Sequence, residues 1–151
     1  MVEKFAYMKR VLVVDDEENI RLVVRSYLRR DGYEVEVAAS GEEALALVET
    51  FGPDCILTDV RMPKMGGLDL LATLKAKNVD TCVIVMSAYG NVDAALEAMK
   101  AGAYVYLQKP FKAEEVLLTI KKAEERESLR RENRALKQEF RHKSQFEDIL
   151  S

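Results

Sequence analysis

No apolar run in this chain approaches the roughly 20 residues that a helix needs to cross a bilayer, and the opening MVEKFAYMKR lacks the apolar stretch of a secretory signal. A membrane span and a secretory route are excluded on that reading, and the expected location is the cytoplasm. Cysteine is scarce: Cys55 and Cys82 lie inside apolar, strand-like segments without CxxC spacing, which argues for buried reduced thiols rather than a metal pair or a disulfide. A basic block is also missing. Residues 1–120 carry 14 basic and 19 acidic side chains, whereas residues 121–143 carry 9 basic and 5 acidic. The charges of that second stretch alternate in sign, the pattern of a solvated helix and not of a nucleic-acid arm. With 151 residues, 48% of them hydrophobic, the chain suffices for one well-cored domain plus an appendage.

What is present is a repeating unit. From Arg10 onward a short β-branched run, a turn and an amphipathic stretch recur five times, with strands expected at Val11–Val14, Glu34–Ala38, Cys55–Thr58, Cys82–Met86 and Tyr104–Leu107. Apolar stripes at helical spacing lie between them: Ile20, Val23, Val24, Tyr27 and Leu28; Ala44, Leu47, Val48 and Phe51; Leu68, Leu71 and Leu74; Val92, Ala95, Leu96 and Met99; then Val116, Leu117 and Ile120. Ser40 with Glu43 reads as a capping box, and Gly32, Gly52 and Gly102 fall where helices should stop. Five alternating β and α units imply an α/β doubly wound, five-stranded parallel sheet. VLVV and CILT, apolar throughout, suit strands buried on both faces. In such folds the functional crevice opens at the carboxyl ends of the strands.

Those ends carry chemistry. Asp15 and Asp16 follow the first strand, Asp59 the third, Ser87 the fourth, and Lys109 with Pro110 the fifth. Taken singly, each has an ordinary use: Asp16 as a helix cap with Asn19 at N3, Asp59 as the start of a turn before Pro63. Five coincidences at one rim argue for a site instead. Three clustered carboxylates would raise one another's pKa unless a cation joined them, and a hard divalent ion fits oxygen donors. Mg²⁺ is expected, with Asp16 and Asp59 as direct ligands and Asp15 acting through water. A phosphoryl group there would have its oxygens held by the metal on one side and by Lys109 and Ser87 on the other, leaving Asp59 as nucleophile.

At these residues the sequence resembles the receiver family of response regulators over residues 8–124. The motifs that carry the resemblance are VLVVDDE, LTDVRMPKMGG, VIVMSAYG and AYVYLQKPF. The resemblance implies a flavodoxin-like strand order 2-1-3-4-5, phosphorylation of Asp59 by a sensor histidine kinase, and an acidic pair at Asp15 and Asp16. It also implies a metal ligand from the backbone carbonyl of Arg61, a switch hydroxyl at Ser87, a switch aromatic at Tyr106, and a cis bond between Lys109 and Pro110. Met1–Tyr7 would be an upstream extension lacking order. SAYGNVDAALEAMKAGAYVYLQKPF and FEDILS are similar to NtrC-like, sigma-54-dependent activators, in which the receiver precedes an AAA+ ATPase and a DNA-binding domain. On that likeness residues 144–151 begin the ATPase. No Walker motif or recognition helix is present in this stretch, so a phospho-acceptor and not an enzyme is expected.

From Lys112 no Gly or Pro interrupts the chain, and one helix is expected to about Arg141, longer than globular helices usually run. Read in heptads, Arg126, Asn133 and Phe140 take a positions and Leu129 and Leu136 take d positions, giving a two-stranded parallel coiled-coil linker at 125–143 with Asn133 setting register. Glu125 would face a partner's Arg130, and Glu132 a partner's Lys137. Three alternatives use the same fold. A flavodoxin-like flavin binder would need amide-rich residues where DDEEN stands, and a haloacid-dehalogenase-like phosphohydrolase would need a second Asp where Arg61 stands. The last is a pseudo-receiver that only dimerises.

Overall fold

The computed structural model describes residues 9–88 and 91–150, with side chains through 141. The extension expected at Met1–Tyr7 lies outside the described residues, as does Ser151. Five strands, β1 (Arg10–Val14), β2 (Glu34–Ala38), β3 (Cys55–Asp59), β4 (Cys82–Ser87) and β5 (Val105–Gln108), alternate with α1 (Glu18–Arg30), α2 (Gly41–Phe51), α3 (Gly67–Ala76), α4 (Val92–Lys100) and α5 (Ala113–Leu150). All strand pairs are parallel, in the order β2-β1-β3-β4-β5. The doubly wound sheet and its order agree with the expectation.

Strand alternation sorts the apolar residues into two layers. Val11, Val13, Leu57 and Ile84 point to one face, where Val24 and Leu28 of α1 and Val116 and Ile120 of α5 cover them. Leu12, Val14, Ile56 and Val85 point to the other, under Ala44, Leu70, Leu74 and Ala98 of α2, α3 and α4. Because β1 sends its chain to β2 on one side and lies against β3 on the other, their carboxyl ends flank the crevice where the winding reverses.

Local expectations held in part. Ser40 Oγ accepts from Glu43 N at 3.2 Å, but Glu43 returns its carboxylate to Ala39 N at 2.8 Å, one residue before the cap. Gly32, Gly52 and Gly102 do adopt left-handed φ values past the helix ends, a region that a Cβ disfavours. The stripe expected on α4 is rotated: Val92 and Leu96 are exposed while Ala94, Ala95 and Ala98 are buried, since small side chains let the helix lie close to the sheet. Val23 is likewise exposed. Among the described residues no helix is long and apolar enough to cross a membrane.

The last helix runs past Arg141 to Leu150. Its first part is core. Beyond Ala123 it is tied to its own sheet: the Arg126 guanidinium lies 4.7 Å from the Tyr104 ring centroid, and Arg134 Nη1 sits 3.1 Å from Asp80 Oδ2. Arg130 pairs with Glu127 at 2.7 Å and reaches Asp80 at 4.0 Å. Two heptad positions thus have partners within the chain: Arg126 meets Tyr104 of the receiver, and Arg130 pairs with Glu127 of the same helix and reaches Asp80.

Glu124, buried where α5 leaves the core, accepts from Tyr33 Oη at 3.3 Å. Burial raises its pKa above the ordinary carboxylate value, and the Tyr33 hydrogen bond only partly opposes this. A raised folded pKa means the unfolded chain ionises first as pH climbs, so stability falls through that window and the penalty persists above it. Glu124→Gln, which keeps an acceptor for Tyr33, is expected to unfold at a higher temperature than the parent at neutral pH. The two melting curves should converge below the ordinary carboxylate range, as thermal unfolding across pH would show.

Candidate functional site

Asp15, Asp59, Ser87 and Lys109 sit at or one residue past the carboxyl ends of β1, β3, β4 and β5. β3 closes on Asp59 and β4 on Ser87, each one residue later than the sequence pattern suggests, because register pairs Asp59 with Met86 and Ser87 with Gln108. The ladder continues past the strands: Val60 N donates to Met86 O at 3.0 Å and Lys109 N to Ser87 O at 2.8 Å. The Lys109–Pro110 bond is cis, as the resemblance implies. Backbone bonds thus hold the site from below.

Lys109 is the centre of the cluster. Its Nζ donates to Asp15 Oδ2 at 2.6 Å and to Asp59 Oδ2 at 3.0 Å. Asp15 is fully buried, and its other oxygen accepts from Glu17 N at 2.9 Å. Asp59 Oδ1 accepts from Arg61 N at 3.2 Å. Burial pushes the Asp15 carboxyl above its ordinary pKa despite the lysine. Burial works to lower the Lys109 pKa, yet the hydrogen bonds it donates to Asp15 and Asp59 outweigh it and the ammonium is raised. The lysine is therefore a fixed cation at neutral pH.

One oxygen from each of Asp15, Asp16 and Asp59 lies within 4.8 Å of the others. Around a small octahedral ion with ligands at about 2.1 Å, neighbouring oxygens stand about 3 Å apart and opposite ones about 4 Å. An all-oxygen, anionic donor set of this kind suits a hard divalent cation such as Mg²⁺. Asp16 is exposed and does not serve as the helix cap, since Glu17 holds that position without a side-chain bond.

Tyr106 lies on β5, 37% exposed, and Ser87 is buried. The Arg61 side chain is exposed. Leu129, Asn133, Leu136 and Phe140 are not part of this cluster and lie on the open face of α5.

Three contributors escaped the sequence reading. Thr58 Oγ1 donates to Asp59 O at 3.0 Å, and Arg21 Nη1 donates to Asp15 O at 2.8 Å. The third is the Gly66-Gly67 pair. A Cβ on Gly66 would meet Val60 O at 2.6 Å, and one on Gly67 would meet Asp59 O at 2.6 Å. Gly67 N also donates to Val60 O at 2.8 Å. The doublet is visible in the sequence, but its target is not, because the loop must first fold back onto the end of β3.

Gly67→Ala should therefore push the Asp59–Val60 peptide out of place. A loss of about 1–3 kcal/mol is expected from overpacking, read by denaturant unfolding, together with weaker Mg²⁺ binding. Parental stability and affinity would refute the close-approach role.

The family model for the response regulator receiver domain matches residues 11–121. The chain is 36% identical to Regulatory protein AtoC of Escherichia coli (strain K12) over 144 residues, 95% of this chain and 31% of AtoC. It is 35% identical to the nitrogen assimilation regulatory protein NtrX of Azorhizobium caulinodans over 130 residues, 85% of this chain and 29% of that protein. The chain thus spans about a third of the length of these relatives. The crystal structure of NtrX from Brucella abortus superposes with a TM-score of 0.81 at 34% identity, covering 85% of this chain and 29% of that one. Its receiver domain alone gives 0.73 at 34% identity, covering 76% of this chain and 98% of that one. With both the rim geometry and these likenesses in agreement, the chain belongs to the response regulator receiver family of two-component systems, in its NtrC-like branch.

Proposed function

We propose that this receiver accepts a phosphoryl group on Asp59 from a sensor histidine kinase in a Mg²⁺-dependent reaction, and that the modification switches a dimeric linker controlling a sigma-54-type transcription activator. The observation that carries the proposal is the Lys109 ammonium seated on both Asp15 and Asp59 beside three converging carboxylates. Asp16, Asp59 and the Arg61 carbonyl would hold the ion directly. Asp15 would act through water. Bound there, Mg²⁺ neutralises charge on the phosphoryl oxygens and aligns them for in-line transfer.

In the step itself an Asp59 carboxylate oxygen attacks phosphorus, the P–N bond of the kinase phosphohistidine breaks, and the leaving imidazole keeps the electron pair and takes a proton from solvent. Lys109 exchanges its bond to Asp59 Oδ2 for a phosphoryl oxygen while keeping Asp15. Ser87 turns its hydroxyl to the same group, and Tyr106 rotates into the space this leaves, altering the face around β5.

The reading of α5 as a linker at 125–143 is supported by its uncovered stripe. Leu129, Leu136 and Phe140 are 59%, 63% and 75% exposed and recur along one stripe at heptad spacing. A second copy in parallel, registered by Asn133, would bury them. Downstream, the linker would lead to the AAA+ and DNA-binding domains of the full-length protein, with residues 144–151 as the entry to the first.

With Mg²⁺ and acetyl phosphate, intact mass is expected to show one added phosphoryl group, and Asp59→Ala none. Undiminished labelling of that variant would sink the assignment. Sedimentation should show Leu129→Ala with Leu136→Ala weakening the dimer at least about a hundredfold, as two leucines each losing about 1.5 kcal/mol of burial would. Phosphorylation should survive those changes, because its chemistry is complete within one receiver.

A further inference from the structure

We infer that Arg21, the α1 residue whose guanidinium meets the Asp15 carbonyl, is a positioning residue for the metal side of the phosphorylation site. The inference rests on the proposed Mg²⁺ site and assigns the group that fixes its acidic loop. Every polar atom of Asp15 has a partner: its N–H donates to Ala38 O at 3.1 Å, its carboxylate accepts from Lys109 and Glu17, and its carbonyl accepts from the Arg21 guanidinium at 2.8 Å. That carbonyl belongs to the peptide joining Asp15 to Asp16. The Asp16 carboxylate is exposed and has no ion pair among the described residues, so only its backbone holds it in place. The bond from Arg21 fixes the plane of that backbone.

The placement of Arg21 is unusual on its own terms. It is the fourth residue of α1, and its N–H donates to Glu17 O at 3.2 Å in the opening turn. The amino end of a helix favours anions, so a cation here works against the dipole. The side chain is nonetheless half-buried and folded back toward the strand end instead of extending to solvent, as a surface arginine does. A planar guanidinium reaching a carbonyl six residues earlier restrains direction as well as distance. Groups that orient ligands in this way influence metal affinity although they never touch the metal.

Arg21→Met keeps the apolar stem and removes both donor and charge. Its Mg²⁺ affinity, from titration of the Asp16 and Glu17 amide shifts in the full chain, is expected to fall roughly tenfold. Arg21→Lys, which keeps a cationic donor, should recover most of the loss. Acetyl phosphate labelling of Asp59 in Arg21→Met should return to the parental rate at saturating Mg²⁺, a recovery that general damage to the fold would not allow. An affinity within about twofold of the parent would overturn the inference, as would tighter binding, which would make the guanidinium only a repelling charge. Failure of saturating Mg²⁺ to restore labelling would overturn it too. Should Arg21→Met unfold in EDTA, Arg21→Gln takes its place with the same expected loss, its amide being too short to reach Asp15 O. If the parent itself neither binds Mg²⁺ nor labels, the proposed function fails and not merely the part given to Arg21.

Discussion

Crowding three carboxylates at one rim is the constraint on which the rest of the structure depends. Asp15 is fully buried and Asp59 nearly so, and an anion in that setting is costly unless cations or donors meet it. Lys109 does so for both at once, which draws the ends of β1, β3 and β5 into one unit. The neighbouring backbone supports the arrangement through Glu17 N on Asp15 and Arg61 N on Asp59. Negative potential remains on the side of Asp16, where a divalent ion would complete the balance.

The sheet has to be rigid for this to work. Apolar residues fill both faces of β1 and β3, so neither strand can slide without exposing core on one side. The Gly66-Gly67 turn then brings the β3–α3 loop against Asp59 and Val60 at distances no other residue pair would tolerate. Site precision is thereby inherited from the core.

The final helix lives in two environments. Up to Ala123 it is part of the hydrophobic core, and beyond it Glu124 meets Tyr33 while Arg126, Arg130 and Arg134 reach the receiver at Tyr104 and Asp80. Exposed ion pairs of this kind contribute little stability singly, but together they set the direction in which the helix leaves. The adjoining stripe of the same helix leaves Leu129, Leu136 and Phe140 uncovered.

Much of this was legible in the residues alone. Period-two and period-3.6 patterns determined five βα units and a parallel sheet, because burial on one face or both leaves a local signature. The chemical types at the strand ends point to Asp15, Asp16, Asp59 and Lys109 as neighbours, and the fold brings those four together, since charged groups at the ends of apolar strands have few structural uses. Tertiary structure decided what pattern cannot encode. The rotation of α4, which buries Ala94, Ala95 and Ala98 and leaves Val92 and Leu96 outside, depends on how closely the helix approaches the sheet. The diversion of Arg126 and Arg130 from the heptad seam depends on a receiver surface that begins more than twenty residues earlier in the chain. The targets of Gly67 and Arg21 likewise exist only once a loop or helix turns back on its own strand. Sequence periodicity reports which residues avoid water, but which atoms a side chain meets is set by how the elements pack together.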